Sequence, residues 1–129
     1  MTEFLDRDDV LTPRALPQWG QKLEVNDYGL LDAAVARPRA TVYGLDVYLD
    51  DLSKAAALMQ SLARNHALVD GNKRTAWAAA WTFLCINGIE LGEFDVDDAE
   101  EFVNAVATDG ALTIDYIASR LSSYRVSRQ

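Results

Sequence analysis

His66-Ala67-Leu68-Val69-Asp70-Gly71-Asn72-Lys73-Arg74-Thr75 runs without a break into Ala76-Trp77-Ala78-Ala79-Ala80-Trp81-Thr82-Phe83-Leu84-Cys85-Ile86, and the reading of this stretch decides the fold. Its second half is apolar on every side, the pattern of a helix buried all round rather than one with a wet face. It is too short to cross a bilayer, which takes about 20 apolar residues. Asn87 and Gly88 end it. A helix buried on all sides needs other helices around it, and the flanking sequence supplies them. Upstream, Asp50 and Asp51 open a helix in which Leu52, Ala55, Ala56, Met59, Leu62 and Ala63 recur at three- and four-residue steps, reaching Asn65 or His66. Downstream, Asp97 with Glu100 three residues on reads as a capping box opening a helix through Phe102, Val103 and Val106, closed by Gly110. Thr113 caps a last helix carrying Ile114, Ile117, Ala118 and Leu121, with Arg120, Arg125 and Arg128 near its negative end.

Further towards the N-terminus, Asn26 and Asp27 offer a cap for a helix through Leu30, Leu31, Ala34 and Val35 that Pro38 stops. Residues 39–49 are β-branched and aromatic (Thr41, Val42, Tyr43, Val47, Tyr48) around Gly44, which reads as an extended flap or short hairpin. Thr12 followed by Pro13 is an N-cap and first-turn signature, but Pro17 and Gly20 interrupt it, so a helix there is short or kinked. The expected fold is all-α: five or six helices around a central buried helix, with a β-hairpin flap.

The whole chain, 129 residues with half apolar and a quarter charged, reads as a single domain over 1–129. A chain of this size buries roughly two thirds of its unfolded surface and needs no disulfide or structural metal to hold together. Cys85, the sole cysteine, reads as a small buried hydrophobe in a reducing compartment. With neither a secretory leader nor an apolar run of about 18 residues, the expectation is a soluble cytoplasmic protein, off the membrane. Twenty acids against twelve bases leave a net charge of −8, and residues 75–119 carry nine acids and no Lys or Arg. Such a surface disfavours nucleic acid, whose binders cluster bases against phosphates.

Against that background the bases Lys73 and Arg74 stand out. A buried helix starting near Asn72 points unsatisfied N–H groups and a positive dipole end out of its first turn, a ready anion site. Two cations at that turn are electrostatically misplaced unless an anion occupies it. Gly71 lets backbone approach a ligand closely. Asp70 beside it would repel a phosphate unless a divalent cation bridges the two, as magnesium does in phosphoryl-transfer sites. The inferred ligand is a nucleotide with Mg2+, the expected form being ATP or another nucleoside triphosphate. His66, the only histidine, lies four residues before Asp70, and an imidazole with its ordinary pKa near ~6.5 can take a proton from an attacking hydroxyl. Each feature alone has a plainer reading: a helix-end histidine is commonly a cap, Asp-Gly a turn, Lys-Arg a solvated pair. Trp77 and Trp81, one turn apart among alanines, read as core; Tyr43 and Tyr48 read as strand residues that are half-buried or face a partner.

At this motif the chain resembles the Fic/Doc family, in its Doc (death-on-curing) toxin branch, whose signature is His-x-Phe-x-Asp/Asn-x-Asn-Lys-Arg, commonly followed by Thr-Ala. It stands here as His66, Leu68, Asp70, Asn72, Lys73, Arg74, Thr75 and Ala76, and the similarity runs outward over residues 26–88. The resemblance implies an all-helical Fic fold with the motif looped between two helices. It implies His66 as base, Asp70 as magnesium ligand, and Gly71, Asn72, Lys73 and Arg74 as the phosphate cradle, with the region around Thr41 to Tyr43 as the flap that docks the target. Fic enzymes carry Gly-Asn-Gly-Arg and transfer AMP to a hydroxyl; in the Doc branch Lys replaces the second Gly, as Lys73 does here. Doc toxins are understood to phosphorylate a threonine of elongation factor Tu, stopping translation, and to be held by a cognate Phd-like antitoxin whose disordered segment folds onto the toxin. Two positions depart from the pattern. Leu68 stands where the family has Phe, and Trp77 where AMP-transferring members place a second Arg, which favours the Doc branch. The alternatives are AMP transfer on the same fold, a non-catalytic nucleotide- or partner-binding module, and an RNA-cleaving toxin, the last opposed by the acidic surface and the single histidine.

Overall fold

The computed structural model describes residues 1–12 and 23–126. Among these, the order is α1 (Arg7–Leu11), α2 (Tyr28–Ala36), a 3-10 turn (Arg37–Arg39), β1 (Thr41–Val42), β2 (Leu45–Asp46), α3 (Asp51–Arg64), α4 (Asn72–Ile86), α5 (Val96–Thr108) and α6 (Ile114–Ser122). The fold is all-α apart from the antiparallel hairpin, in which Thr41 faces Asp46 and Val42 faces Leu45.

Side-chain caps start five of the six helices. Asp6, Asp27, Asp50, Asp95 and Thr113 each accept the backbone N–H three residues on, contacts of about 1 kcal/mol apiece. Two sequence expectations shift here. The cap of α5 is Asp95, not Asp97, because Asp95 keeps extended backbone while Asp97 and Asp98 already lie in the first turn; the helix ends on Asp109 rather than Gly110. Thr12 closes α1 instead of opening a helix, since a capping box between Asp6 and Asp9 starts the chain's first helix earlier. The Pro13–Gly20 reading and Arg128 lie outside the described residues.

α4 is buried on every side from Thr75 to Leu84, as its composition demands. It shares the centre with α3, which packs against α2, α4, α5 and α6. Six consecutive residues of α3, Lys54 to Met59, are buried. The run Ala55–Ala57 lets neighbours approach from several directions, so a helix that reads as amphipathic becomes a second core helix. Cys85 is exposed, contrary to its reading as a buried hydrophobe, because α4 emerges from the core at its last turn, where Ile86 is exposed as well. No helix among the described residues is long and apolar enough to cross a membrane.

An aromatic cluster joins α4 to the C-terminal half. Trp77 packs edge-on to Phe94 and Tyr124 at centroid distances of 5.0 and 5.2 Å, and lies 4.9 Å from Trp81. Both tryptophans are therefore core residues. Tyr124 is buried in this cluster and donates its hydroxyl to Asp98 at 2.7 Å. Burial, then the bond to Asp98, pushes the Tyr124 phenol up to about 12 from its ordinary 10.0. The unfolded chain thus releases this proton first, so stability present below pH 10 drains away as pH rises towards 12. Tyr124→Phe is expected to remove that share of the alkaline loss, seen as a flatter urea-midpoint profile over the same range; an unchanged profile would refute the linkage.

The hairpin is fastened at its base and free at its tip. Tyr43 and Gly44 both have positive φ (52° and 80°), the pair of left-handed conformations that a two-residue turn of matching twist requires. Arg37 donates to the Tyr48 hydroxyl (2.8 Å), Gln60 (2.8 Å), Ser61 (2.9 Å) and the Ala57 carbonyl (3.2 Å). Buried Lys54 donates to the Tyr48 carbonyl and Asp46. Tyr48 is thereby a half-buried anchor, whereas Tyr43 is fully exposed, with Val42, Leu45, Val47 and Leu49 also out in solvent.

Candidate functional site

The loop from Asn65 to Gly71 connects the two central helices, and its shape is fixed by bonds to its main-chain groups from both side chains and backbone. Asn65 caps α3, donates to the Leu30 carbonyl (2.9 Å) and accepts the Ala67 amide (3.2 Å). The segment before α2 lies against the loop: Asn26 and Asp27 both donate to the Ala67 carbonyl, and Val69 donates to Glu24. Leu68 is buried at 3 % exposure, so leucine holds the anchor position where the family pattern has phenylalanine. Neither Asn65 nor the Glu24–Asp27 strap carries a functional signal in the sequence: the strap acts through main-chain bonds, and the Asn65 side chain bonds to main-chain groups of Leu30 and Ala67 that no local spacing marks.

Asn72 closes the loop from the other end. Its side chain donates to the Leu68 carbonyl and accepts the Leu68 amide, both at 3.0 Å. That two-bond clamp orients the amide group against Leu68, and the backbone N–H and the second Nδ2 hydrogen of Asn72 are left without a partner among the described residues. His66, exposed, sits at the start of the loop with φ of +54°, a left-handed conformation costing a non-glycine residue of order 1 kcal/mol or more. Among the described residues its ring makes no hydrogen bond. Strain held at an exposed, unbonded imidazole points to use rather than to folding.

Gly71 (φ +78°) is the N-cap of α4 and can offer no side-chain cap. The first intrahelical bond runs from Thr75 to the Gly71 carbonyl, which leaves the N–H groups of Asn72, Lys73 and Arg74 unpaired among the described residues. Lys73 and Arg74 are exposed, and neither forms an ion pair among the described residues. The Arg74 guanidinium curls back over Gly71, where a Cβ would stand 3.5 Å from its Nη2 and 3.6 Å from Leu23. Asp70, also exposed, accepts the Gly71 N–H at 2.8 Å. Gly71→Ala finds ordinary van der Waals room but inherits a positive φ, so it should cost about 1–2 kcal/mol in denaturant unfolding; a loss below a few tenths would show the turn to be pliable.

The structure brings all six sequence-nominated residues, His66 and Asp70–Arg74, onto one loop and its following turn. Among the described residues no cluster of three or more His, Cys, Asp or Glu could hold a metal unaided. Asp70 alone suits magnesium, which prefers one or two carboxylates plus phosphate oxygens and water. A cavity of about 370 Å3 opens beside the Lys73–Arg74 turn, between α4 and α5.

The Fic/DOC family profile matches residues 4–84, a span that takes in α1, the hairpin, the loop and nearly all of α4. The chain belongs to the Fic/Doc family. Its match begins well before residue 26, so the capped α1 is part of the shared domain even though the N-terminal segment resisted reading. "Toxin Doc" of Mycolicibacterium smegmatis is 62% identical over 130 aligned residues, covering 100% of this chain and 98% of that protein. "Protein kinase doc" of Escherichia phage P1 is 28% identical over 106 residues, covering 82% of this chain and 81% of that protein. These likenesses put the chain on the Doc branch of the Fic/Doc family.

Proposed function

We propose that this chain is the toxin of a toxin–antitoxin module and a protein kinase that moves a phosphoryl group from magnesium ATP to a hydroxyl, expected to be a threonine of elongation factor Tu. The observation that carries the reading is the uncapped first turn of α4, with its free N–H groups and two unpaired cations following an αL glycine. That turn is built for phosphate oxygens. The full-length likeness to a Doc toxin and the name of the phage relative support the same reading.

Magnesium ATP, when bound, supplies the phosphoryl group and the metal charge that relieves its repulsion from Asp70. Asp70 would hold the metal, its other carboxylate contact being the Gly71 N–H. The backbone N–H groups of residues 72–74, Lys73 and Arg74 hold the phosphates. Asn72 keeps the loop in shape by clamping Leu68. His66 takes the proton from the target hydroxyl, a contribution of about 10²–10⁴ in rate for a positioned base. The exposed hairpin tip, with Tyr43 and its apolar neighbours, receives the target segment.

Trp77 supports phosphate over AMP transfer: it is neutral and 2 % exposed where AMP-transferring members of the family place a second Arg. A Phd-like antitoxin is the expected partner, and the cytoplasm the expected compartment. Intact-mass spectrometry of elongation factor Tu after incubation with the chain and magnesium ATP tests the reaction. A gain of about 80 Da marks phosphate and about 329 Da marks AMP. An unchanged mass, while the translation machinery still stops, would remove elongation factor Tu as target.

A further inference from the structure

The hairpin proposed above to receive the target has no core of its own. Its strands are two residues each, and Thr41, Val42, Leu45 and Asp46 are all exposed. A two-stranded ribbon with no buried face is marginal by itself in water, so what keeps it in place comes from outside it. Two cations do so. Lys54, 3 % exposed, donates its ammonium to the Tyr48 carbonyl and, at 3.4 Å, to the Asp46 carboxylate. Arg37, half-buried, ties the Tyr48 hydroxyl to Gln60, Ser61 and the Ala57 carbonyl of α3 through one guanidinium. Burying an ammonium is costly unless it is paired, and methionine would fill the same space without that cost. Lysine at this position is therefore a poor choice for packing and a good one for gripping a main-chain carbonyl.

We propose that Lys54 and Arg37 are positioning residues for phosphoryl transfer, holding the hairpin on α3 so that a docked target stands at a fixed distance from His66. This rests on the kinase reading above and adds what sets the reach from target to base. The groups of α3 that hold the hairpin, at Lys54, Ala57 and Ser61, recur at three- and four-residue steps and so share one face of the helix. The same helix ends in Asn65, whose side chain shapes the loop bearing His66. Lys54 to Arg64 makes about 15 Å of helix, a stiff spacer with the docking ribbon at one end and the base beyond the other. With the ribbon adrift, each docking event has to order it, and that cost falls on target affinity. The first turn of α4 makes no bond to Lys54 or Arg37 among the described residues, so ATP binding is untouched.

Steady-state phosphorylation of elongation factor Tu, with calorimetric titration of magnesium ATP and thermal melting of the same full-chain samples, tests this. Lys54→Met keeps the bulk of the side chain and loses the ammonium. It should raise KM for elongation factor Tu about tenfold, the scale of ordering one freed residue, with kcat and ATP affinity within about twofold of the parent. Tyr48→Phe, half-buried on the hairpin and outside the core, loses only the hydroxyl that Arg37 holds and should raise the same KM about threefold. In both variants the amides of residues 41–47 should exchange faster while those of α4 stay slow. An unchanged KM in either variant overturns the role of the cation it releases. A joint fall in melting temperature, kcat and ATP affinity in Lys54→Met makes Lys54 a residue of the fold and overturns its positioning role, and Tyr48→Phe then decides the case for Arg37. An unaltered chain that binds magnesium ATP yet leaves elongation factor Tu unmodified overturns the kinase reading, and the positioning role with it.

Discussion

His66→Asn is expected to abolish phosphorylation and growth arrest while the chain stays folded. The imidazole is exposed and unbonded among the described residues, so nothing in the core depends on it. Its backbone is left-handed, and asparagine enters that region more readily than most residues, so the loop keeps its course. The expected unfolding free energy lies within about 0.5 kcal/mol of the parent, the range of ordinary surface changes. The rate should fall by about 10²–10⁴ through loss of the base. Loss of activity together with a large loss of stability would make His66 a loop-holding residue. Full toxicity in the folded variant would exclude it as the base.

The effect at Asp70 should change sign with the metal. In magnesium, Asp70→Asn should weaken ATP binding about tenfold and stop turnover, because the carboxylate that shares the cation with the phosphates is gone. In a chelator, the same variant should bind ATP more tightly than the parent, since an uncompensated carboxylate beside phosphate repels it by about 1–4 kcal/mol at contact distance, depending on exposure. Asparagine keeps an oxygen for the Gly71 N–H, so the turn survives in both conditions. Weakened binding with and without magnesium alike would mean that Asp70 shapes the loop rather than holding a metal.

Much of this was legible because α4 announces itself. An all-round apolar run that opens on two cations has few solutions, and the buried helix follows from it, with a first turn that carries the proposed phosphate site. Capping chemistry placed α2, α3 and α6 for the same reason: Asp27, Asp50 and Thr113 each precede a periodic segment. Where several acids crowd one stretch, composition cannot say which takes the cap, and Asp95 prevailed over Asp97. Apolarity likewise cannot say where a helix leaves the core, which is why Cys85 read as buried. The harder part was cooperative. Asn65, the Glu24–Asp27 strap and the clamp role of Asn72 all act on main-chain groups of residues near the loop, and the α4–α5 cavity draws on two distant segments. None of these carries a local spacing that marks it. The burial of Lys54 is a further case, since a lysine among alanines gives no hint that a carbonyl from the hairpin base will meet it.

The first turn of α4 can be watched directly. In ¹⁵N-labelled protein titrated with magnesium ATP, the backbone amide signals of Asn72, Lys73 and Arg74 should make the largest shifts in the chain, with Gly71 following. The Lys73→Ala, Arg74→Ala double variant should lose those shifts. ATP-induced shifts centred elsewhere, with these amides unmoved, would contradict the assignment of the α4 turn as the phosphate site.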